Sequence, residues 1–373
     1  MAAGEISIRT DKGTYIGGDT IYGSVYVCLP EPTPCRCLRL QIRGYEISEY
    51  DYQYVEVSGE DTFTPRVGQR KAKKDLVRAD VKLAENQGGL SAGCYAYPFQ
   101  YQLPHNLPGV FHCRHEDQDS GRVWEAVIKY SIGAFIDNSG FPLEPRLAGE
   151  TPLVVLEGPE CQSSTTSQPD TQTASGSVRT FFCIHRGDIL LSSTIDKTVY
   201  QPHQSIAISV NINNQAAVDV LGATVKLIRV IKLLGVDKSR GEEELDAHTV
   251  LDTIVETCPE TCSKNNTRVC KVTLHLDQLN SERCAITAPS TSGSLVKCTY
   301  VVDVDVHVPW APDIEVRQPL LITPAPNHVW ERWSPPDWVQ DCQTVDVTGM
   351  LSVPPDILTS QSFSGIPGFQ PLI

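Results

Sequence analysis

Several groups of residues carry side chains able to do chemistry. Asp303, Asp305 and His307 alternate with Val302, Val304, Val306 and Val308, so the three titratable groups share one face of a strand. Such a row is raw material for general acid–base catalysis. Catalysis also needs a concave site and a partner for the base, and a flat, solvated sheet face offers neither. Cys258, Cys262, Cys270 and Cys284 could bring four thiolates to zinc, but gaps of 3, 7 and 13 residues fit no regular ligand spacing. Small buried hydrophobes or loop thiols are the plainer reading. His112, Cys113, Arg114, His115, Glu116 and Asp117 crowd potential ligands together and read as an acidic loop. Arg66, Arg70, Lys71, Lys73, Lys74 and Arg78 form a basic run able to make charge-assisted contacts with phosphates or acidic headgroups, or to be a solvated loop. Nucleophile elbow, P-loop, dinucleotide fingerprint and HExxH are all missing, so neither an enzyme nor a cofactor is expected.

The elements that would position these groups are strands. Leu38, Leu40 and Ile42 alternate with Arg39, Gln41 and Arg43, and Ile128, Tyr130, Ile132 and Ala134 alternate with Lys129, Ser131 and Gly133. The same period returns through Ile206, Ile208, Val210 and Ile212. Residues 58 to 93 show no apolar pattern, and a short helix over 69 to 85 would turn Leu76, Val77 and Val81 inward. Residues 161 to 178 are almost purely Ser, Thr, Gln, Gly and Pro, a composition suited to a linker. A chain of 373 residues exceeds what one core usually organises, so two domains are expected. Asp11, Lys12, Tyr15, Ile21 and Val25 recur as Asp196, Lys197, Tyr200, Ile206 and Val210, each pair 185 positions apart. Two related β-sandwiches follow, each opening on a tyrosine-anchored turn, built with Gly17-Gly18 in one copy and Pro202-His203 in the other.

The net charge of -14, from 45 Asp+Glu against 31 Lys+Arg, argues against nucleic acid as a partner. No apolar run is long enough to span a bilayer and no signal-peptide layout opens the chain, so a cytoplasmic protein is expected, one that meets membranes through partners. Thirteen cysteines, an odd number without an export signal, are expected as reduced thiols. The sequon at Asn265 would then be out of reach of glycosylation.

One stretch is more specific. In YPFQYQLPHNLPGVF, residues 97 to 111, Phe99, Tyr101 and Leu103 alternate with Gln100 and Gln102 as in an edge strand, which Pro104 and Pro108 then stop. The wording resembles the FxFxLP..LPxSF segment of the arrestin superfamily, in particular the alpha-arrestin (arrestin domain-containing) family. Residues 127 to 135, the start of the second half at Gly187, and residues 286 to 300 are similar to further family phrases. The resemblance runs over about residues 5 to 325. It implies an all-β fold of two tandem immunoglobulin-like, arrestin-type sandwiches joined by a polar linker, with an extended C-terminal tail: domains at 1–160 and 179–325, linker 161–178, tail 326–373. It also implies a non-enzymatic adaptor that binds cytoplasmic tails of membrane receptors or transporters, with ubiquitin ligase or endocytic coat components as further partners. Recruitment to plasma membrane or endosomes would follow. Arg9, Lys12, Arg39 and Arg43 would join the basic run in receiving phosphates.

The chain also departs from the pattern. No arginine stands in Thr151-Pro152-Leu153-Val154-Val155, where a phosphate-sensing core would need one. The tail offers Pro335, Pro336 and Trp338, and later Pro354-Pro355-Asp356-Ile357, where a PPxY motif would carry tyrosine. The tail's aromatic residues suit docking onto its own domains or onto another protein; self-docking is expected for 326–348 and disorder beyond. The alternative function is a metal-binding or thiol-based redox protein or enzyme using the cysteine clusters.

Overall fold

The computed structural model describes residues 4–347 except 59–61, 86–88, 117–120, 138–146, 159–167, 181–183, 237–244, 280–287, 310 and 346. In the first sandwich one sheet holds β1 (Glu5–Thr10), β3 (Thr20–Leu29) and β6 (Gly93–Gln102). The facing sheet runs β2 (Thr14–Tyr15), β9 (Ala148–Val155), β8 (Val123–Asp137), β4 (Cys37–Ser58) and β5 (Thr62–Glu85), with β7 (Phe111–Glu116) also on β8. The second sandwich repeats this plan. Its first sheet is β10 (Asp170–Thr180), β11 (Ile184–Ile195), β13 (Ser205–Asn214) and β16 (Asn266–His275). Its second is β12 (Val199–Tyr200), β19 (Ile314–Ile322), β18 (Val296–His307), β14 (Gly222–Val236) and β15 (Leu245–Cys258), with β17 (Thr291–Ser292) on β18. In both halves, among the described residues, the one parallel pairing within the sandwich joins the two-residue strand to its last strand, β2 to β9 and β12 to β19. The cores follow from alternation: in β13, Ile206, Ile208, Val210 and Ile212 are buried while Ser205, Ala207 and Asn211 are exposed.

The repeated phrase has one geometry in both copies. Tyr15 Oη donates to Asp11 Oδ1 at 2.5 Å and Tyr200 Oη to Asp196 Oδ1 at 2.7 Å. The same carboxylate oxygens accept the amides of Tyr22 at 3.0 Å and Ala207 at 2.9 Å. Both tyrosines are fully buried, and burial followed by the neighbouring aspartate pushes each phenol far above its ordinary pKa. Gly18 and His203, again 185 apart, both take positive φ, at 88° and 70°. The turn demands the left-handed region; glycine adopts it freely and His203 at a cost of about 1 kcal/mol.

Several sequence expectations need correction. Residues 69 to 85 are not a helix but the second half of β5, paired along its length with β4. The register slips between Leu38/Arg39 and Gly44/Tyr45, so Leu83 and Leu76 are extra residues on β5, and these bulges erase the period of two. The basic run therefore lies on a strand, not a loop. His112 to Glu116 form β7 rather than a loop. Residues 170 to 178 of the expected linker belong to β10, whose ladder bonds to β11 hold a polar sequence that burial alone would not; of the rest of that linker, 161–167 lie outside the described residues. The cysteines are not all thiols: Cys258 and Cys270 form a disulfide with Cα atoms 6.6 Å apart, and Cys113 is also disulfide-bonded. The face of Asp303 is not simply solvated, since Asp303 is buried beside Lys226 and Arg317.

The sandwiches meet around two carboxylates of the first. Glu46 is fully buried. Its Oε1 accepts the amides of Leu295 at 2.7 Å and Val296 at 2.6 Å, and its Oε2 accepts the amide and hydroxyl of Ser294 at 3.2 and 2.9 Å. A side chain at Gly293 would put a Cβ 2.1 Å from Glu46 Oε1, so the approach requires glycine. Glu157 accepts the amides of Gly109 at 2.8 Å and Ser292 at 3.1 Å, and Thr291 Oγ1 donates to Gly109 O at 2.9 Å. One loop of the second sandwich is thus held by charge-assisted bonds to the first.

Two predictions follow from this geometry. Tyr15→Phe and Tyr200→Phe should each destabilise their own sandwich by about 1–3 kcal/mol, because each removes the hydrogen bond from a buried phenol to a carboxylate; urea denaturation measures it, and an unchanged midpoint refutes the role. Glu46→Ala orphans four donors and should cost roughly 2–4 kcal/mol of docking between the sandwiches. Its signature is two separate unfolding transitions where the parent chain shows one.

Candidate functional site: the tail-covered face of the first sandwich

Strand β1 has the pattern EISIRT, which turns Ile6, Ile8 and Thr10 into the core and leaves Glu5, Ser7 and Arg9 outside. A segment that follows β19 lies across this outer row. It begins with Asn327, whose Nδ2 donates to Gly13 O at 3.1 Å and Pro152 O at 3.4 Å. The Asn327 Oδ1 accepts the Trp330 amide at 3.1 Å and caps a single helical turn, α1 (His328–Glu331). Three indole N–H groups then reach the strand in order: Trp330 Nε1 to Thr10 O at 2.9 Å, Trp333 Nε1 to Ser7 Oγ at 3.0 Å, and Trp338 Nε1 to Glu5 Oε2 at 3.0 Å. Glu5 and Ser7, two apart, share the outer side of β1, while Thr10 takes part through its backbone carbonyl.

Arg9 is the centre of the contact. Its guanidinium carbon lies 3.9 Å from the centroid of Trp330 and 5.0 Å from that of Trp333, and Nη1 donates to Trp330 O. Burial under the tail lowers its pKa from the ordinary arginine value, yet an arginine stays charged at neutral pH. The cation–π pair is therefore partly desolvated, which strengthens it over a fully exposed one. Beyond it, a 3₁₀ turn over Asp337–Asp341 presses Val339, fully buried, onto Tyr26 and Ala96. Tyr26 also stacks on Trp333, with ring centroids 6.3 Å apart. The tail ends its contact as β20 (Gln343–Thr344), added parallel to β6, with the Val345 amide on Ala96 O at 2.9 Å.

Of the residues singled out in the sequence, Arg9 and Trp338 are brought together here, while Pro335 is exposed and Pro336 half-buried between them. Lys12 pairs with Asp19 at 3.6 Å. The basic run sits elsewhere, on the ribbon formed by β4 and β5, and is largely engaged within it. Arg66 pairs with Glu56 at 2.8 Å, Lys71 with Glu49, and Arg78 with Asp75 at 3.8 Å. Arg70 lies 4.2 Å over the ring of Tyr52, Lys73 lies 5.0 Å over that of Tyr45, and Lys74 donates to Ser294 Oγ at 2.9 Å. Arg39 is bidentate on Asp80, and Arg43 lines an open cleft of about 260 Å³ with Gln41 and Glu150. The zinc set is not assembled. Cys258 and Cys270 are bonded to each other, Cys262 is buried with its thiol aimed at the carbonyls of Ile212 and Asn266, and Cys284 lies outside the described residues. Among those residues, the group that could hold a cation is Asp303, Asp305 and Glu315, with ligand atoms within 4.8 Å of one another. Lys226 on Asp305 and Arg317 on Glu315 already balance most of its charge.

Sequence reasoning found the tail's tendency to dock but not its seat. The signal was available in the outward Glu5-Ser7-Arg9 row, which offers acceptors and a cation to a segment rich in tryptophan. Arg9→Ala should loosen β20 by about 1–2 kcal/mol, the range of a partly desolvated cation–π pair. Hydrogen exchange at the Val345 amide measures it, with exchange faster by roughly 5- to 30-fold; an unchanged rate would show that Arg9 does not hold the tail.

Comparison with known proteins adds to this geometry. Residues 4–155 match the family described as "Arrestin (or S-antigen), N-terminal domain", and residues 185–327 match "Arrestin (or S-antigen), C-terminal domain". The chain is 24% identical over 212 residues to "Arrestin domain-containing protein A" of Dictyostelium discoideum, a stretch covering 56% of this chain and 34% of that protein. It therefore spans about a third of that relative's length. It is 22% identical over 326 residues to "Arrestin domain-containing protein 5" of Homo sapiens, which covers 86% of this chain and 87% of that protein.

Proposed function

The chain belongs to the arrestin family by both of its domains, and from that premise we propose that it is an adaptor that binds cytoplasmic segments of membrane receptors or transporters and couples them to endocytic trafficking, ubiquitination or signalling. The observation that carries this reading is β20. The edge of β6 already receives an extended segment by strand addition, with flanking side chains seated on the sheet face. Main-chain bonds give such a mode its affinity and side-chain pockets its selectivity. A cargo peptide would take the place of the tail, and Arg9, freed from Trp330 and Trp333, would meet its acidic or phosphorylated residues.

The ribbon supplies a second contact. Val55, Phe63 and Val67 are exposed at its far end, with 58%, 67% and 60% of their surfaces accessible, and the basic run follows along β5. A partner would bury the apolar end and exchange its own anions for Glu49 and Glu56 on Lys71 and Arg66. Recruitment of a ubiquitin ligase through Pro335, Pro336 and Trp338 would need the tail to leave, because Trp338 is bound to Glu5. No described helix is long and apolar enough to cross a membrane; in this reading contact with membranes runs through cargo.

The test compares the full chain with one ending at residue 325 on immobilised receptor-tail peptides, phosphorylated and not. Removal of the tail should strengthen binding at least about tenfold, the factor corresponding to about 1.4 kcal/mol of competition. Equal binding by the two chains refutes competition for the β6 edge, and binding by neither refutes the adaptor reading.

A further inference from the structure

Three cysteines stand in one row across the edge covered by the tail. Cys28 on β3 is directly opposite Cys94 on β6, and their sulfurs are 2.9 Å apart, against about 2.05 Å for a formed disulfide. Gln343 and Thr344 pair in parallel with Tyr95 and Ala96, so the preceding residue, Cys342, arrives at the register of Cys94. Opposed residues on neighbouring strands project to the same face of a sheet. All three are partly accessible, in contrast to Cys298, which is buried in the second sandwich. Burial, then the neighbouring thiols, pushes Cys342 up to about 12, and burial with the bond to Cys94 pushes Cys28 up to about 11.

We propose that Cys28, Cys94 and Cys342 form a thiol–disulfide exchange site through which oxidation fastens the tail to the first sandwich. The oxidant class is a small disulfide such as glutathione disulfide. The Cys94 thiolate attacks one of its sulfurs and expels one glutathione thiolate. The Cys28 thiolate then displaces the second glutathione and closes Cys28–Cys94. Two protein thiols lose two electrons and two protons, and the glutathione disulfide becomes two glutathione thiols. In the docked tail the Cys342 thiolate attacks the Cys94 sulfur, forms Cys94–Cys342 and releases Cys28 as thiolate, which takes up the proton that Cys342 gave up. This second step moves the bond without net redox change.

The raised pKa values of Cys28 and Cys342 bear on the later steps. Little of either is thiolate near neutral pH, so the steps in which they attack are slow. Docking supplies the effective concentration that directs Cys342 to Cys94. The inference concerns the tail's attachment and stands whatever the adaptor binds.

The test uses the full chain, purified reduced and then held in glutathione disulfide. Peptide mapping without reduction should find Cys94 joined first to Cys28 and later to Cys342, with Cys258–Cys270 as an internal reference. Amide exchange at Gln343 to Val345 should slow by at least about tenfold in the oxidised chain and recover with dithiothreitol. Cys342→Ser should keep the Cys28–Cys94 bond and lose the slowing, and Cys28→Ser should send Cys94 directly to Cys342. Recovery of Cys94 as a free thiol or only as its glutathione adduct overturns the proposal. A Cys94 that pairs only with Cys28, with the tail unchanged, overturns it equally.

Discussion

The buried carboxylate of Glu46 is the constraint on which the arrangement depends. Two sandwiches on one chain would ordinarily swing about their connection. Here a charge taken from water accepts four donors from the loop at residues 294–296, and Glu157 repeats the device at Ser292 and Gly109. A carboxylate at such a depth is tolerable only with its lone pairs filled, so the two surfaces must stay in register. That register carries β19 to a place from which the chain crosses directly to Gly13 and Pro152 of the other sandwich through Asn327. Tail docking is thus a consequence of domain docking, and a disturbance at Glu46 reaches β20 without touching it.

The tail itself is held by many weak terms. Three indole bonds, one partly desolvated cation–π pair, the burial of Val339 and a two-residue strand each contribute on the order of 1 kcal/mol after the entropy of ordering is set against them. No single contact dominates. A segment fixed in this way leaves as a unit once its ends are loosened, since each contact presupposes the order imposed by its neighbours. This suits a cover that another extended peptide can replace, and the thiol row lies where one covalent bond would outweigh all these terms together.

The fold was legible where local physics and burial agree. In β13 the alternation marks the core without ambiguity, and the 185-residue repeat marked a shared turn before its hydrogen bonds were visible. Gly18 and His203 show why: the phrase encodes a buried tyrosine bonded to an aspartate, and the turn residue follows from that geometry rather than from its own type. Legibility failed along β5, where extra residues at Leu76 and Leu83 shift the inward parity and mimic the lack of any strand. It failed at β10, whose residues are held by ladder bonds rather than by burial. The site was half legible: the tail's aromatics declared a docking segment, but only topology brings Arg9 together with Trp330, 321 positions away.

The two copies of the sandwich differ most in how they guard their sheet edges, and that difference points to the receptive one. An unguarded edge is a template for any extended chain. In the second sandwich β10 covers β11 through ten paired positions with one irregularity between Ser177 and Arg179, while the opposite edge, β16, carries Arg268 and Lys271 and is tied through Cys270 to β15. Both are lasting solutions. In the first sandwich the β6 edge is covered by two residues of β20, at the end of a segment that reaches it from another domain. β6 carries Pro98 and ends at the corner before Pro104 and Pro108, which limits the ladder it can offer. An incoming peptide must therefore be short and must draw much of its affinity from the sheet face beside the edge. That face holds Tyr26, Ala96 and the Arg9 row, so the chemistry that seats the tail is also the chemistry that would select what replaces it.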